Sequence, residues 1–538
     1  MTSQDPDSRR SFASRTPVND NPDKVEYRRG FVTRHQVSGW RFVMRRIASG
    51  IALHDTRMLV DPLRTQSRAV LMGVVLLVTA LGGCFVFSLI RPNGTAGSNA
   101  VLADRDTAAL YVRVGDDLHP VLNLTSARLI VGHPVNPTTV KSTELDRFPR
   151  GNLIGIPGAP ERMVQNPGRD ANWTVCDSIG GTAHAVHSTG VTVIGGRPDS
   201  SGARAADLGS RQAILVQSPG DDKGPISWLL WDGRRSQINL TDHAVTTALG
   251  LGQNNSEVPP PRPIALGLFN AIPEGPALTA PGIPNAGAPA PFAVPAPIGA
   301  VVVSYGLDQS SSGAPRYFAV LPDGLQPISP VLAAILRNTN SYGLDQPPRL
   351  GADAVAKLPV SRLLDTSRYP DQQVTLVDAA KDPVACAHWS KAAGAATSSL
   401  NLLAGSALPV PESIHTVDLV GGGAAATATR VALPPGTGYF TQVAGGGAGA
   451  PGAGSLFWVS DTGVRYGIDN EAENAATGHG KTVEALGLSG SPLPVPWSVL
   501  SLFAAGPTLS RADALLAHDG LTPDNNPGRP VAAEGAPR

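Results

Sequence analysis

The eight residues Ala475-Ala476-Thr477-Gly478-His479-Gly480-Lys481-Thr482 fit a phosphate loop relaxed at its first position, where Ala475 stands in place of Gly. In such a site backbone N–H groups cradle phosphates, the lysine reaches the terminal oxygens and the hydroxyl holds magnesium. Gly480, Lys481 and Thr482 are therefore the candidate nucleotide contacts. Their surroundings favour a plain helix start: the preceding GIDNEAEN is no buried strand, and no Asp follows an apolar run as a magnesium partner. Gly447-Ala448-Gly449-Ala450-Pro451-Gly452 has the dinucleotide spacing but leads into the strand-like SLFWVS, so it reads as a hairpin loop. His184 and His187 would share one face of a helix, yet no third ligand accompanies them, and they read as solvated histidines with no metal. The chain holds neither H-E-x-x-H nor a serine in a Gly-x-Ser-x-Gly elbow. Trp228, Trp231, Tyr317, Phe318, Phe457 and Trp458 could stack on sugar rings, although alternation along a strand buries at least half of them.

These residues hang on one uncharged stretch. Ala69 to Ile90 carries no charge and is closed by Arg68 and Arg91. As a helix it reaches about 33 Å, enough for a hydrocarbon core of about 30 Å. Leu81-Gly82-Gly83-Cys84 imitates a lipoprotein cleavage box, but the apolar run continues past it, so Cys84 reads as a cysteine within the span. Residues 1–68 hold 13 Lys+Arg against 7 Asp+Glu, whereas the remainder holds 30 against 36. The basic side stays in the cytoplasm, which predicts a single-pass protein with its C-terminal domain outside. The neutral total gives no sign of nucleic-acid binding. Cys176 and Cys386 are then the two cysteines on the oxidising side and make a disulfide candidate.

Four segments are expected: a cytoplasmic head over 1–68, the span over 69–90, an outer domain over 91–518 and a disordered tail over 519–538. In the head, residues 1 to about 30 are polar and Pro/Asp/Arg-rich, which predicts disorder. Val37, Trp40, Met44, Ile47 and Ile51 then repeat at helical spacing opposite Arg41, Arg45 and Arg46, suited to lipid headgroups, a partner or a small local core. Asp61-Pro62 should end any helix before the span. Outside, Gly and Pro together number 108 of 538 residues, which favours short strands and many turns.

Four stretches of the outer domain repeat one pattern: ALYVRVGDDLHPVLNLTSARLIVG (109–132), SWLLWDGRRSQINLTDHAVTTALGL (227–251), RYFAVLPDGLQPISPVLAAILRN (316–338) and one from Ser455 to Leu488. Each gives a strand, a tight turn, a second strand and a helix; Asp232-Gly233 and Asp323-Gly324 are strong hairpin signals, and Thr462-Gly463 serves the same purpose. A further strand precedes three of them: AILVQS, AVVVSYG and GYFTQVA. The fold class expected is α+β, with four small βββα-like modules near 101–135, 212–252, 298–340 and 438–490 around a central sheet. Cys176 and Cys386 hold matching places after modules one and three, and VTLVD (374–378) reads as a further central strand. Twelve prolines between Pro259 and Pro297 mark a linker or irregular strap.

The stretch QVSGWRFVMRRIASGIALHDTRMLVDPLRTQSRAVLMGVVLLV (36–78) resembles the most recognisable segment of the EccB family, the membrane-anchored component of mycobacterial type VII (ESX) secretion systems. Gln36-Val37-Ser38-Gly39, Arg41-Phe42, Arg45-Arg46, Met58-Leu59 and Asp61-Pro62-Leu63-Arg64 carry it before the span, the modules and outer cysteines after it. The resemblance implies a structural core subunit that self-associates in the membrane beside EccC, EccD, EccE and a mycosin protease. It also implies a periplasmic domain like the cell-wall-binding part of a phage lysin, hence peptidoglycan as a further partner. The family's ATPase label implies ATP as a cofactor and a hydrolase activity, which would fall on Gly480, Lys481 and Thr482; the residues themselves call for none.

Overall fold

A computed structural model describes residues 33–54, 62–90, 96–182, 185–218, 224–251, 258–305, 315–421, 427–444, 454–469 and 481–520. The chain divides into two units, Met1–Asn93 and Gly94–Arg538.

The first unit contributes two helices. Helix α1 (Arg34–Leu53) opens on a capping box, in which the Gln36 side chain accepts from the Thr33 N–H at 2.9 Å, and ends at His54 in the left-handed conformation. Helix α2 (Pro62–Ile90) starts on proline, which has no N–H to leave unpaired at a first turn. It therefore runs seven residues further toward the N-terminus than the uncharged stretch alone. Within it Gln66–Phe87 has a mean hydropathy of 2.6 and is long enough to cross a membrane.

The second unit is mixed α and β, and its described residues form five sheets and one disulfide. Four of the sheets are built on one plan. In unit one the strands Val101–Asp104, Leu110–Val114 and Asp117–Val121 form an antiparallel meander, and the helix Leu124–Val131 then carries the chain back to the strand Thr138–Val140, parallel to the first. Unit two repeats this with Gln212–Ser218, Ile226–Trp231, Arg234–Gln237, helix His243–Leu249 and Arg262–Pro263. Unit three uses Val301–Ser304, Arg316–Leu321, Gly324–Ile328, helix Pro330–Thr339 and Arg349–Leu350. Unit four uses Tyr439–Ala444, Leu456–Val459, Val464–Ile468, helix Lys481–Leu486 and Leu493–Pro496. The four parallel return strands have no counterpart in the sequence expectation, and the leading strand of unit one falls inside the expected module 101–135 without being singled out there.

The local chemistry is plain. Asn123, Asp242 and Ser329 accept N–H bonds at the starts of the first three helices, and Gly132 and Gly250 take the left-handed conformation at two of their ends. Asp232 and Gly233 both have positive φ, as a two-residue hairpin turn requires, and a Cβ on Gly233 would run into the Leu400 carbonyl.

A second repeat lies just beyond each return strand. The segments starting at Pro149, Pro273, Pro359 and Ala504 each lie parallel to the third strand of their own unit. The N–H of Leu118, Arg235 and Leu325 donates to the carbonyl of Pro149, Pro273 and Pro359 at 2.8–2.9 Å. Two residues on, the N–H of Gly151, Gly275, Ser361 and Gly506 donates back to Leu118, Arg235, Leu325 and Arg465. These clips cover edges that would otherwise be open to pairing with other chains.

The helices join the units in pairs. That of unit two packs on that of unit three, with Val245, Ala248, Leu249, Leu332, Ile335 and Leu336 buried between them. That of unit one packs on those of unit four and on Arg511–Ala514. Between the pairs stands a seven-stranded sheet whose middle is two antiparallel strands, Ala171–Thr182 and Val384–Lys391, flanked by Ala185–Gly195 and Ser399–Gly405. VTLVD, expected there, is elsewhere: Thr375–Leu376 pairs with Gln212–Ala213 at the margin of unit two, because its exposed residues suit an edge and not a buried centre. His187 lies on a strand opposite Gly180, not on a helix, and His184 lies outside the described residues.

Candidate functional site

Lys481 and Thr482 open the unit-four helix, and Gly480 lies outside the described residues. Lys481 is exposed, whereas Thr482 is buried with its hydroxyl facing the core shared by units one and four and without a partner among the described residues. The loop residues 475–480 that would complete a phosphate site lie outside the described residues. No cluster of three His, Cys, Asp or Glu suited to a metal occurs among the described residues. Trp228, Trp231 and Trp458 are buried, so these rings build core and present no face to a sugar.

The centre of the domain is the point where Cys176 and Cys386 are bonded. They are direct opposites in the two middle strands, with Cα atoms 4.0 Å apart, and both are closed to solvent. Their separation of 210 residues also relates Pro149 to Pro359. In the antiparallel register Val175 faces Ala387 and Asp177 faces Ala385, so each residue lies opposite the counterpart of one equally far beyond the cysteine. The strand pairing about the two sulfurs is thus locally two-fold, with one hairpin strand, Ala185–Gly195 or Ser399–Gly405, on each side.

One face of this sheet carries the largest core cluster. Trp173 stands against Tyr439 and Phe503 in edge-on contacts, and its Nε1 donates to the Pro494 carbonyl at 3.0 Å. Burial pushes the Tyr439 phenol up to about 12. On the same sheet His388 shares a 2.9 Å hydrogen bond with Thr174 Oγ1, and burial holds its imidazole below the ordinary range. Asp177 is closed to solvent and paired with buried Arg262 at 3.4 Å. These groups lie inside the domain and not at a centre open to substrate.

Two clefts open at the unit junctions. One of about 680 Å³ is bounded by Asp207, Arg211, Asp371 and Asn401, and Arg234 lies over the Trp231 ring in its wall. Another of about 830 Å³ has Arg169 and Lys391 on its rim. In the first, Ser367 Oγ donates to Asp365 Oδ1 at 2.6 Å within the turn that Asp365 caps. In Met1–Asn93, Trp40, Met44, Ile47 and Ile51 of α1 are all exposed, as are the apolar side chains along α2 from Val70 to Phe87.

A family model described as the type VII secretion system ESX-1 transport TM domain B matches residues 29–523. The ESX-3 secretion system ATPase EccB3 of Mycobacterium tuberculosis is 72% identical over 547 residues, spanning all of both chains. The structure of an intact ESX-5 inner membrane complex contains a chain 37% identical, with a TM-score of 0.70, covering 94% of this chain and 99% of that one. A chain of the EccB3 dimer from the ESX-3 core complex is 61% identical, with a TM-score of 0.68, covering 78% of this chain and 100% of that one.

Proposed function

We infer the role of this chain from the fact that it belongs to the EccB family of type VII secretion systems: it is a structural core subunit of an ESX inner-membrane complex. Helix α2 holds it in the bilayer and the outer domain carries its self-association. The observation that carries this reading is the likeness, over nearly the whole chain, to a subunit of an intact ESX-5 inner membrane complex. The basic residues of 1–68 put the head in the cytoplasm and residues 91–518 in the periplasm, with 519–538 as a tail. The shared strand order and the four clips support reading the outer domain as four copies of one module around the central sheet. The partners proposed are further copies of this chain, EccC, EccD, EccE and the mycosin of the same system. A periplasmic domain of this build could also bear on peptidoglycan.

The name ATPase belongs to the relatives. Here the burial of the Thr482 hydroxyl and the exposed position of Lys481 support assembly over hydrolysis. The test is purification of the tagged chain from native membranes, wild type beside Lys481→Ala. The structural reading expects the same high-mass complex with the same partners from both. Loss of the complex in a folded Lys481→Ala chain, together with loss of ATP turnover, would establish the hydrolase reading in its place.

A further inference from the structure

The two halves fasten themselves to the central sheet by different chemistry. In the first half a strap, residues 262–278, leaves unit two, makes the short helix Leu266–Ala271 and ends in the Pro273 clip. In the second half the strap 493–509 follows the same course, with a helix starting at Trp497 and a clip at Ala504. Both short helices begin after an extended residue, Ala265 in one and Pro496 in the other.

The first strap is held to its own unit by Arg235, whose Nη1 donates to the Phe269 and Ile272 carbonyls, and to the central sheet through Asp177, one residue from the disulfide. Its carboxylate accepts from Ser188 Oγ at 2.5 Å, from the Ala265 N–H at 3.1 Å and from Arg262 Nη2 at 3.4 Å. Arg262 Nη2 also lies 3.4 Å from the Asp177 carbonyl, while its Nε is buried with no partner among the described residues. At the corresponding places the second half has Ala387, Leu493 and Pro496, two apolar side chains and an imide with no N–H to satisfy. The fold thus closes a strap of this kind without any buried charge. An ion pair removed from water recovers its desolvation only with complete hydrogen bonding, and apolar replacement of such pairs is often neutral or stabilising. Here the pairing is incomplete.

We propose that Asp177 and Arg262 make the first strap a releasable clamp: residues 262–278 part from the central sheet in the folded protein while 493–509 stay packed. Parting bares the apolar face that Leu268 and Ile272 cover, lined by Val191 and Ala385 among others, and gives the assembled subunit a second state on one side only.

Backbone amide hydrogen exchange on the full chain in detergent at pH 7 tests this. Amides of 264–278 are expected to exchange at least tenfold faster than those of 495–509. The triple variant Asp177→Ala, Arg262→Leu, Ala265→Pro copies the second half at all three positions, and the φ of −70° at Ala265 admits proline. It should slow exchange of the first strap tenfold or more and leave the second unchanged. Equal protection of the two straps in the wild type would overturn the proposal whether or not the variant folds. So would a folded triple variant whose first strap exchanges as fast as before, or faster.

Discussion

At the scale of single residues, two neighbours in one strand contribute in opposite ways. Cys176 is covalently tied to Cys386 across 210 residues, for which chain entropy gives about 5 kcal/mol as an upper figure. The two strands are already hydrogen-bonded partners, so Cys176→Ser should keep the fold, lose about 2–5 kcal/mol and melt at lower temperature, as calorimetry of the outer domain would read. Asp177 is a burden at neutral pH. Burial lifts its carboxyl above the usual carboxylate range against the donors Ser188, Arg262 and the Ala265 N–H, and the same burial lowers Arg262. A folded carboxyl that holds its proton more tightly than an unfolded one favours the fold in acid, and that contribution is lost as pH rises through the raised pKa. In urea unfolding, the advantage of the Asp177→Ala, Arg262→Leu, Ala265→Pro variant over wild type should therefore grow as the pH is raised from below the ordinary carboxylate range toward neutrality. A constant or shrinking advantage would show that the carboxyl is not raised. The bond between the cysteines was legible from compartment and from matching positions; the Asp177 clamp was not, since Arg262 falls among prolines and bears no pattern linking it to a residue 85 positions earlier.

At the scale of elements, what is local was readable and what is paired at a distance was not. Asp232-Gly233 carries its own reason for a hairpin, and the 22 uncharged residues before Arg91 carry theirs for a span. The return strands Arg262–Pro263 and Leu493–Pro496 are short, contain proline and have no period, so only their parallel partners make them strands. VTLVD misled for the converse reason: its alternation looks central, yet its pairing is with a margin. For the phosphate-loop residues, spacing showed the possibility and only the burial of Thr482 spoke to its use. Helix α1 has an exposed apolar stripe of Trp40, Met44, Ile47 and Ile51 and no acidic residue in its first turn. We expect Trp40→Asp with Ile47→Asp to abolish recovery of the complex from native membranes while the chain still fractionates with the membrane; an intact complex would rule out α1 as a docking element.

At the scale of the whole outer domain, residues 511–518 close on its first unit. Ala517–His518 pairs with Leu153–Ile154, His518 Nε2 lies 2.8 Å from the Gly155 carbonyl, and Arg511–Ala514 packs on the unit-one helix. Deleting residues 511–538 removes that closure without touching the central sheet. Such a chain should still form the Cys176–Cys386 bond but melt several degrees lower, with proteolysis beginning within residues 96–165. Protection of that region equal to wild type would mean that unit one stands without its partner.

The local two-fold register about Cys176 and Cys386 also has a consequence for how such a domain can be built. A polypeptide half as long, carrying one hairpin and the two units beside it, would meet an identical copy of itself in the same register, and its single cysteine would bond to its own twin. The present chain has the layout of such a linked pair with both copies on one polypeptide. Halves on one polypeptide need not be identical: one has a charged fastening where the other is apolar, so the domain has a left and a right.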